Sequence, residues 1–445
     1  MAGLYGAARE WDLVDGSTVR QCMPAAITTG AKPVATAAAA ATLLLLAVTG
    51  FRFDVSRNVY HTAALLDAAS LPPFAQDWIT QGRHILSLLL PGPGWVSETN
   101  LHAALLGAEV LAVFVSTFAL LRIVARLGGT DAMGLAAGAV LVGISYLDSG
   151  HAFVSGAAII SATFTAAQAA TALVALSLAL ALNGSLWAAV ALLGLAFDAD
   201  QAVAAWGLVG LAGASVVLGR DGLPVARAWL TGGVCALVLA APAVAWWAGQ
   251  IAASGGFPGD PVAALGLAEP DLVRAWTVPL ESWMPFGCTV VLGLSAFAVL
   301  GWDARGACGA FLGILVVFAL GCGLPLLTGS SWLAVLRPMA ADTLLQLLAT
   351  AAAAAVVLRD LRGGGGVLRV GLSVAIAACL LLHRNLLPVA SLAMLTRAAA
   401  AHGELLGMER RIRDWNQATL CRTALAVVVL AGLAGAMMQS GLGLH

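Results

Sequence analysis

Charge is what this sequence lacks most. Asp, Glu, Lys and Arg make up 10% of its 445 residues, where a soluble protein of this length carries about 25%. With 60% hydrophobic residues and a mean hydropathy of +0.93, the chain must be solvated by lipid. Lysine is nearly missing: Lys32 stands alone against 21 arginines. The net charge is −1, which leaves no basic excess for a nucleic acid to bind. The seven cysteines show no metal-ligand spacing and sit mostly in apolar runs, so they read as small buried hydrophobes. The Gly-rich stretch RGGGGVLR (362–369) lacks the Lys-Ser/Thr of a phosphate-binding loop and reads as a linker. No polar domain is evident at either end, so any chemistry is expected in the membrane or at its outer face.

What is there is a series of apolar runs, from 34–51 to 422–438. Crossing the hydrocarbon takes roughly 20 residues per helix. Several runs are shorter, notably 186–197 and 386–396, as half-helices and re-entrant segments are. The expected fold class is therefore all-α: a polytopic transmembrane helical protein of 11 to 13 spans. Residues 1–33 read as a cytoplasmic N-terminal segment and 34–396 as the membrane domain. Its two large outer loops are 52–100 and 250–285. Residues 397–421 read as a cytoplasmic amphipathic segment and 422–445 as a C-terminal span. With the N-terminus inside and the spans alternating, 16 basic residues fall inside and 6 outside, the positive-inside pattern. Arg in place of Lys, with abundant Ala and Gly, fits a GC-rich bacterial genome, and the expected location is a bacterial inner membrane. Acids fall mostly the other way.

The first outer loop opens FDVSRNVYHTAALLDAASLPPFAQDWI. Asp54 stands at the end of the first span. Val59, Thr62, Ala63 and Leu66 then form an apolar stripe at helical spacing. Pro72 and Pro73 break that helix. Asp77 follows between Phe74 and Trp78, and QGRHILSLLLPGPGW reads as a second interfacial helix, ended by Pro91. The spacing predicts two short amphipathic helices lying on the outer surface.

This arrangement resembles the GT-C class of integral membrane glycosyltransferases, which use polyprenyl-phosphate-linked sugars and keep their acidic motif in the first extracytoplasmic loop. Two further stretches are similar to that class. LNGSLWAAVALLGLAFDADQAVAAWGLVGLAG matches its paired short helices around a polar outer turn. LRPMAADTLLQLLATAAAAAVVLRD matches a late span that opens with an arginine. The resemblance covers residues 34–396 as pattern. It implies a lipid-linked sugar donor and a lipid, polysaccharide or protein acceptor. Other proteins of an envelope-assembly complex are possible partners.

Sugar transfer needs a base for the acceptor hydroxyl, and a carboxylate can serve. The departing lipid phosphate needs Arg, Lys or a metal ion. Asp54 is the candidate base. Asp77 is a second acid, for acceptor or metal; Asp54 and Asp77 together are the candidate ligands of a divalent cation such as Mg or Mn. Arg337 and Arg384, both at outer ends of late spans, are candidate phosphate binders. His61, His84 and His151 are candidates for contacts to acceptor or phosphate. The family usually pairs its acid with a close acidic neighbour, whereas Asp54 is followed by Val55 and Ser56. That departure favours a second reading, a non-catalytic subunit of the same architecture. A third reading is a lipid or solute transporter built on the half-length helices around Asp198 and Asp200.

Other polar groups are weighed against plain structure. Tyr146, Asp148 and His151 fit a capped polar loop or a substrate-lining patch. Asp198 and Asp200 in FDADQ fit a cation or sugar contact as well as loop acids. Glu109, inside a span, reads either as a hydrogen-bonded acid between helices, the structural reading preferred, or as a group snorkelling to the surface about two turns from Asn100. Asp342 reads as the partner of a neighbouring group.

Overall fold

The computed structural model describes residues 30–50, 98–129, 131–148, 154–155, 160, 164–219, 224–254, 278–328, 337–362, 366–382 and 384–401. Among the described residues there are twelve α-helices and no strand. They are α1 (Ala31–Thr49), α2 (Glu98–Gly128), α3 (Ala132–Asp148), α4 (Ala166–Leu182), α5 (Leu186–Ala199) and α6 (Gln201–Leu218). Then come α7 (Val225–Ser254), α8 (Leu280–Leu300), α9 (Arg305–Thr328), α10 (Ala341–Arg362), α11 (Val367–Leu382) and α12 (Leu387–Ala401). Three 3-10 turns, Gly301–Ala304, Pro338–Ala340 and Arg384–Leu386, link α8 to α9, open α10 and link α11 to α12.

The chain is a multi-pass helical membrane protein. Six stretches are long and apolar enough to cross a bilayer, including Ala103–Gly128, Val225–Ala245 and Pro338–Arg362. One of the six, Leu280–Gly323, folds back on itself at Gly301. There φ is 63°, a left-handed conformation that glycine adopts without steric cost. Phe297 then stacks near Phe311 and Phe286 near Phe318, at 5.4 and 4.9 Å between ring centroids. Those pairings make α8 and α9 antiparallel. Helices α4, α5, α11 and α12 are apolar but of 14–17 residues; α5 and α12 fall on the two runs, 186–197 and 386–396, that the hydropathy pattern marks as short.

Burial sorts the helices. All of the apolar window of α10 lies inside the bundle, whereas only 17% of that of α7 does. The reason for α10 is in its sequence: ATAAAAA (349–355) offers no bulk, so neighbours close on it from every side. The outer face of α7 is the reverse. Leu230, Val234, Leu237 and Val238, spaced as one helical stripe, are each more than half exposed. Such a stripe suits lipid tails, not water.

Glycines set the closest contacts. A Cβ at Gly194 of α5 would collide with the Ala236 carbonyl of α7, and one at Gly213 of α6 with the Gly309 carbonyl of α9. Lipid gives apolar helices no hydrophobic drive to associate, so close backbone packing holds such pairs.

Contacts between turns define the two ends of the bundle. At one end, Arg126 Nε donates to the Leu182 carbonyl at 3.3 Å. There too Arg362 reaches Asp131 at 3.0 Å and Arg359 reaches Asp303 at 3.8 Å. This is the basic end. At the other end lie the α5–α6 turn, the start of α10 and residue Val154. Val34 packs with Ala125 and Leu135, so α1 begins at the basic end. Gly50 and Glu98, which flank the first large loop, therefore both lie at the opposite, acidic end.

Helix α12 runs from Leu387 to Ala401, and Arg397 is buried within it. The described cysteines, Cys235, Cys288, Cys308, Cys322 and Cys379, form no disulfide; Cys379 is buried and the other four are partly so.

Candidate functional site

The acidic end gathers polar groups from four elements. α5 cannot continue past Ala199 because Asp200 turns extended, at φ −154° and ψ 115°. Asp200 then caps α6, its Oδ1 accepting from the Val203 N–H at 3.0 Å. An Asp side chain there satisfies one of the first-turn N–H groups that a helix leaves open.

Asp198, two residues earlier, is 1% exposed. Its Oδ1 accepts from the Ala243 N–H of α7 at 3.2 Å. Pro242 lies inside α7, and a proline ring pushes away the carbonyl below it and disturbs the helical ladder. The N–H just after the proline is thus turned to a side chain of the neighbouring helix, and α7 is tied to α5 at depth.

Arg337 enters this region from the other side of the sequence. It precedes Pro338 and has φ 45°, ψ 67°. Among the described residues it is the one non-glycine with positive φ. Left-handed backbone strains an L-residue, and a following proline restricts it further. The guanidinium lies 3.9 Å from Asp200 Oδ2, and the two side chains are 30% and 16% exposed. At that distance the pair is ionic and not a hydrogen bond. Five residues on, Asp342 is fully buried in the first turn of α10 and accepts from the Val154 N–H at 2.6 Å. The first turn is where a helix favours a carboxylate.

Of the residues expected to act, Arg337 is the one with a described side chain. Asp54, His61, Asp77, His84 and His151 lie outside the described residues. So do the proposed interfacial helices and the candidate cation ligands. Arg384 opens the Arg384–Leu386 turn between α11 and α12, and its side chain lies outside them too. Among the described residues no group of three or more His, Cys, Asp or Glu is placed to hold a metal ion.

Two polar clusters away from that end complete the picture. Glu109 of α2 is fully buried and its Oε1 accepts from Gln168 Nε2 of α4 at 3.0 Å. Glu109 Oε2 and Gln168 Oε1 have no hydrogen-bond partner. This agrees with Glu109 as an acid bonded between helices. Asp360, Arg397 and Ser373 join α10, α12 and α11 in a buried cluster. Sequence reading missed it, because charges at the ends of apolar runs look like loop charges.

At the basic end Asp131 caps α3, its Oδ1 accepting from the Gly134 N–H at 2.8 Å. That N–H, and then the Arg362 guanidinium, hold its carboxyl below the usual carboxylate range against a smaller cost of burial.

No protein-family model, curated protein or solved structure matches this chain.

Proposed function

We propose that this chain is a membrane glycosyltransferase of GT-C-like architecture. It would move a sugar from a polyprenyl-phosphate donor to a lipid, polysaccharide or protein acceptor at the outer face of a bacterial inner membrane. The N-terminus and the basic end then face the cytoplasm, as the positive-inside rule requires. The observation that carries the reading is Arg337. A strained arginine beside Asp200 sits at the end of the bundle from which the acid-bearing loop 52–100 departs. Strain of this kind persists where surrounding structure holds it, and it concentrates at functional sites.

In this reading Asp54 takes the proton of the acceptor hydroxyl as the new glycosidic bond forms. Arg337 receives the charge that collects on the phosphate as the sugar leaves. Arg384 is the second candidate for that charge, and Asp77 for acceptor or cation. The donor's chain stays in the lipid, so the reaction is held at the interface.

The test is transfer from a radiolabelled polyprenyl-phosphate sugar in membranes carrying the full chain. D54N and R337A should each abolish or strongly reduce transfer while the protein remains in the membrane. Full activity of both variants would end the assignment. A chain that instead copurifies with an envelope complex, and supports it equally well as D54A, would be a non-catalytic subunit.

A further inference from the structure

The sequence GWDARGACGAFLG (301–313) builds a second site, at the end of the bundle opposite Arg337. Gly301 reverses the chain and the Gly301–Ala304 turn projects Trp302, which is 80% exposed. The Arg305 guanidinium lies over that indole at 5.4 Å from the ring centroid, a cation–π arrangement that orients the cation. Asp303 on the same turn reaches Arg359 of α10 at 3.8 Å. Among the described residues, the turn and the side chains set against it comprise two guanidinium groups, Arg305 of α9 and Arg359 of α10, and one carboxylate, Asp303.

A groove of about 300 Å³ opens beside it, between α6 and the α8–α9 turn. Val217, Phe297, Cys308, Gly309 and Leu312 line it, and Trp302 and Arg305 stand among the lining. The volume is at the small end for a ligand pocket, so it holds part of a molecule. Its continuation is apolar: Leu312, Val316 and Leu320 follow at four-residue spacing up the same face of α9 and are 41%, 56% and 49% exposed. Eight residues of helix make a track roughly 12 Å long. A cation and an indole at the turn, above an apolar groove and track, match a lipid lying along a helix, headgroup outward.

We infer that this groove binds an anionic glycerophospholipid of the bilayer, with its phosphate on Arg305, its glycerol region against Trp302, and one acyl chain over Gly309 and along Leu312, Val316 and Leu320. The charge selects a net-negative headgroup, and the track requires a chain. The site lies at the basic end, and it does not depend on the transferase reading of the acidic end.

The experiment uses the full chain, purified and delipidated in mild detergent. Phosphatidylglycerol, phosphatidylcholine or inorganic phosphate is added, and retention is read by native mass spectrometry and by thermal unfolding. Phosphatidylglycerol should be retained and should raise the unfolding temperature; phosphatidylcholine and inorganic phosphate should do neither to the same degree. R305Q should weaken phosphatidylglycerol retention about fivefold, the usual worth of one arginine near an anionic surface. R305K should keep most of it, and high salt should reduce it. W302A and L312N alter exposed or half-exposed positions, so they should fold and yet lose retention. Equal retention of phosphatidylcholine, or an R305Q protein that binds phosphatidylglycerol as the parent does, would overturn the site. An inorganic phosphate effect equal to that of the lipid would reduce it to an anion contact and overturn the lipid assignment.

Discussion

Arg397 holds Asp360 by two parallel bonds, Nε to Oδ2 at 2.6 Å and Nη2 to Oδ1 at 2.8 Å, and Ser373 adds a third bond to Oδ2 at 3.0 Å. The two charges are 6% and 7% exposed. Removing one partner of such a pair strands the other without water, which costs about 3–5 kcal/mol. R397A and D360A should each lower the unfolding temperature steeply in detergent. A D360L/R397L double variant should recover much of that loss, since no charge is then left buried. Additive losses in the double variant would show that the pair is not coupled.

Gly232 and Gly233 are neighbours on α7 with opposite surroundings. A Cβ at Gly232 would strike the Trp187 carbonyl of α5, whereas one at Gly233 meets nothing within 4 Å. G232A should cost about 1–3 kcal/mol by forcing the helices apart. G233A should cost nothing and gain up to about 1 kcal/mol from helix propensity. Equal effects of the two substitutions on thermal unfolding would contradict the backbone-to-backbone packing of α5 on α7.

Glu109 and Gln168 are joined by one bond while an acceptor oxygen on each lacks a donor. E109Q replaces Oε2 or Oε1 with an amide that can donate to Gln168. E109Q should therefore be neutral or more stable, by up to about 1 kcal/mol, the net worth of one hydrogen bond. E109A should lose about 1–3 kcal/mol, since it leaves the Gln168 amide unpaired. Thermal unfolding of the two variants side by side decides it.

Asp131 predicts an acid limb. Its carboxyl is held below the usual range by the Gly134 N–H first and Arg362 next. A group depressed in the folded state contributes stability above its unfolded value, and that contribution is lost as pH falls through the folded value. The window therefore lies at and below about pH 4, the ordinary aspartate value. D131N should be less stable than the parent at neutral pH, and the difference should shrink as pH is lowered through that window. The side chain is 58% exposed, so the difference is small and salt-sensitive. A gap that stays constant down to pH 2 would rule out the carboxylate as its source.

The membrane fold could be read from the sequence because hydropathy acts residue by residue. Lipid exposure of Leu230 or Leu237 and enclosure of the Ala-rich α10 both follow from local composition. Glu109 was legible for a related reason: an acid inside an apolar run must find a partner or be expelled. Arg397 was not, because an arginine after an apolar run looks the same whether it meets water or Asp360, 37 residues earlier. The Asp198 contact was hidden further. It depends on Pro242 disturbing a ladder in a helix 45 residues away. Arg337 could be picked out as an arginine at an outer helix end, but its left-handed backbone and its distance from Asp200 are three-dimensional facts.

That backbone separates stability from function at Arg337. Glycine adopts φ 45° without the steric cost an arginine bears. The ion pair it would lose is long and partly solvated, and such pairs contribute about 0–1 kcal/mol. R337G should therefore regain from the relieved strain what it loses at Asp200, and a larger drop in unfolding temperature would report the guanidinium's other contacts. If Arg337 binds the donor's phosphate, the same variant should lose transfer by at least about tenfold, since a charge-assisted bond is worth roughly 1.5–3 kcal/mol. R337K should keep the charge, lose the planar fork and fall between. D200N should remove the Asp200 charge beside the guanidinium while leaving Arg337 in place, changing donor affinity more than the rate at saturation. An R337G protein that is both less stable and fully active would show that the Arg337 side chain serves the fold and that phosphate binding lies elsewhere.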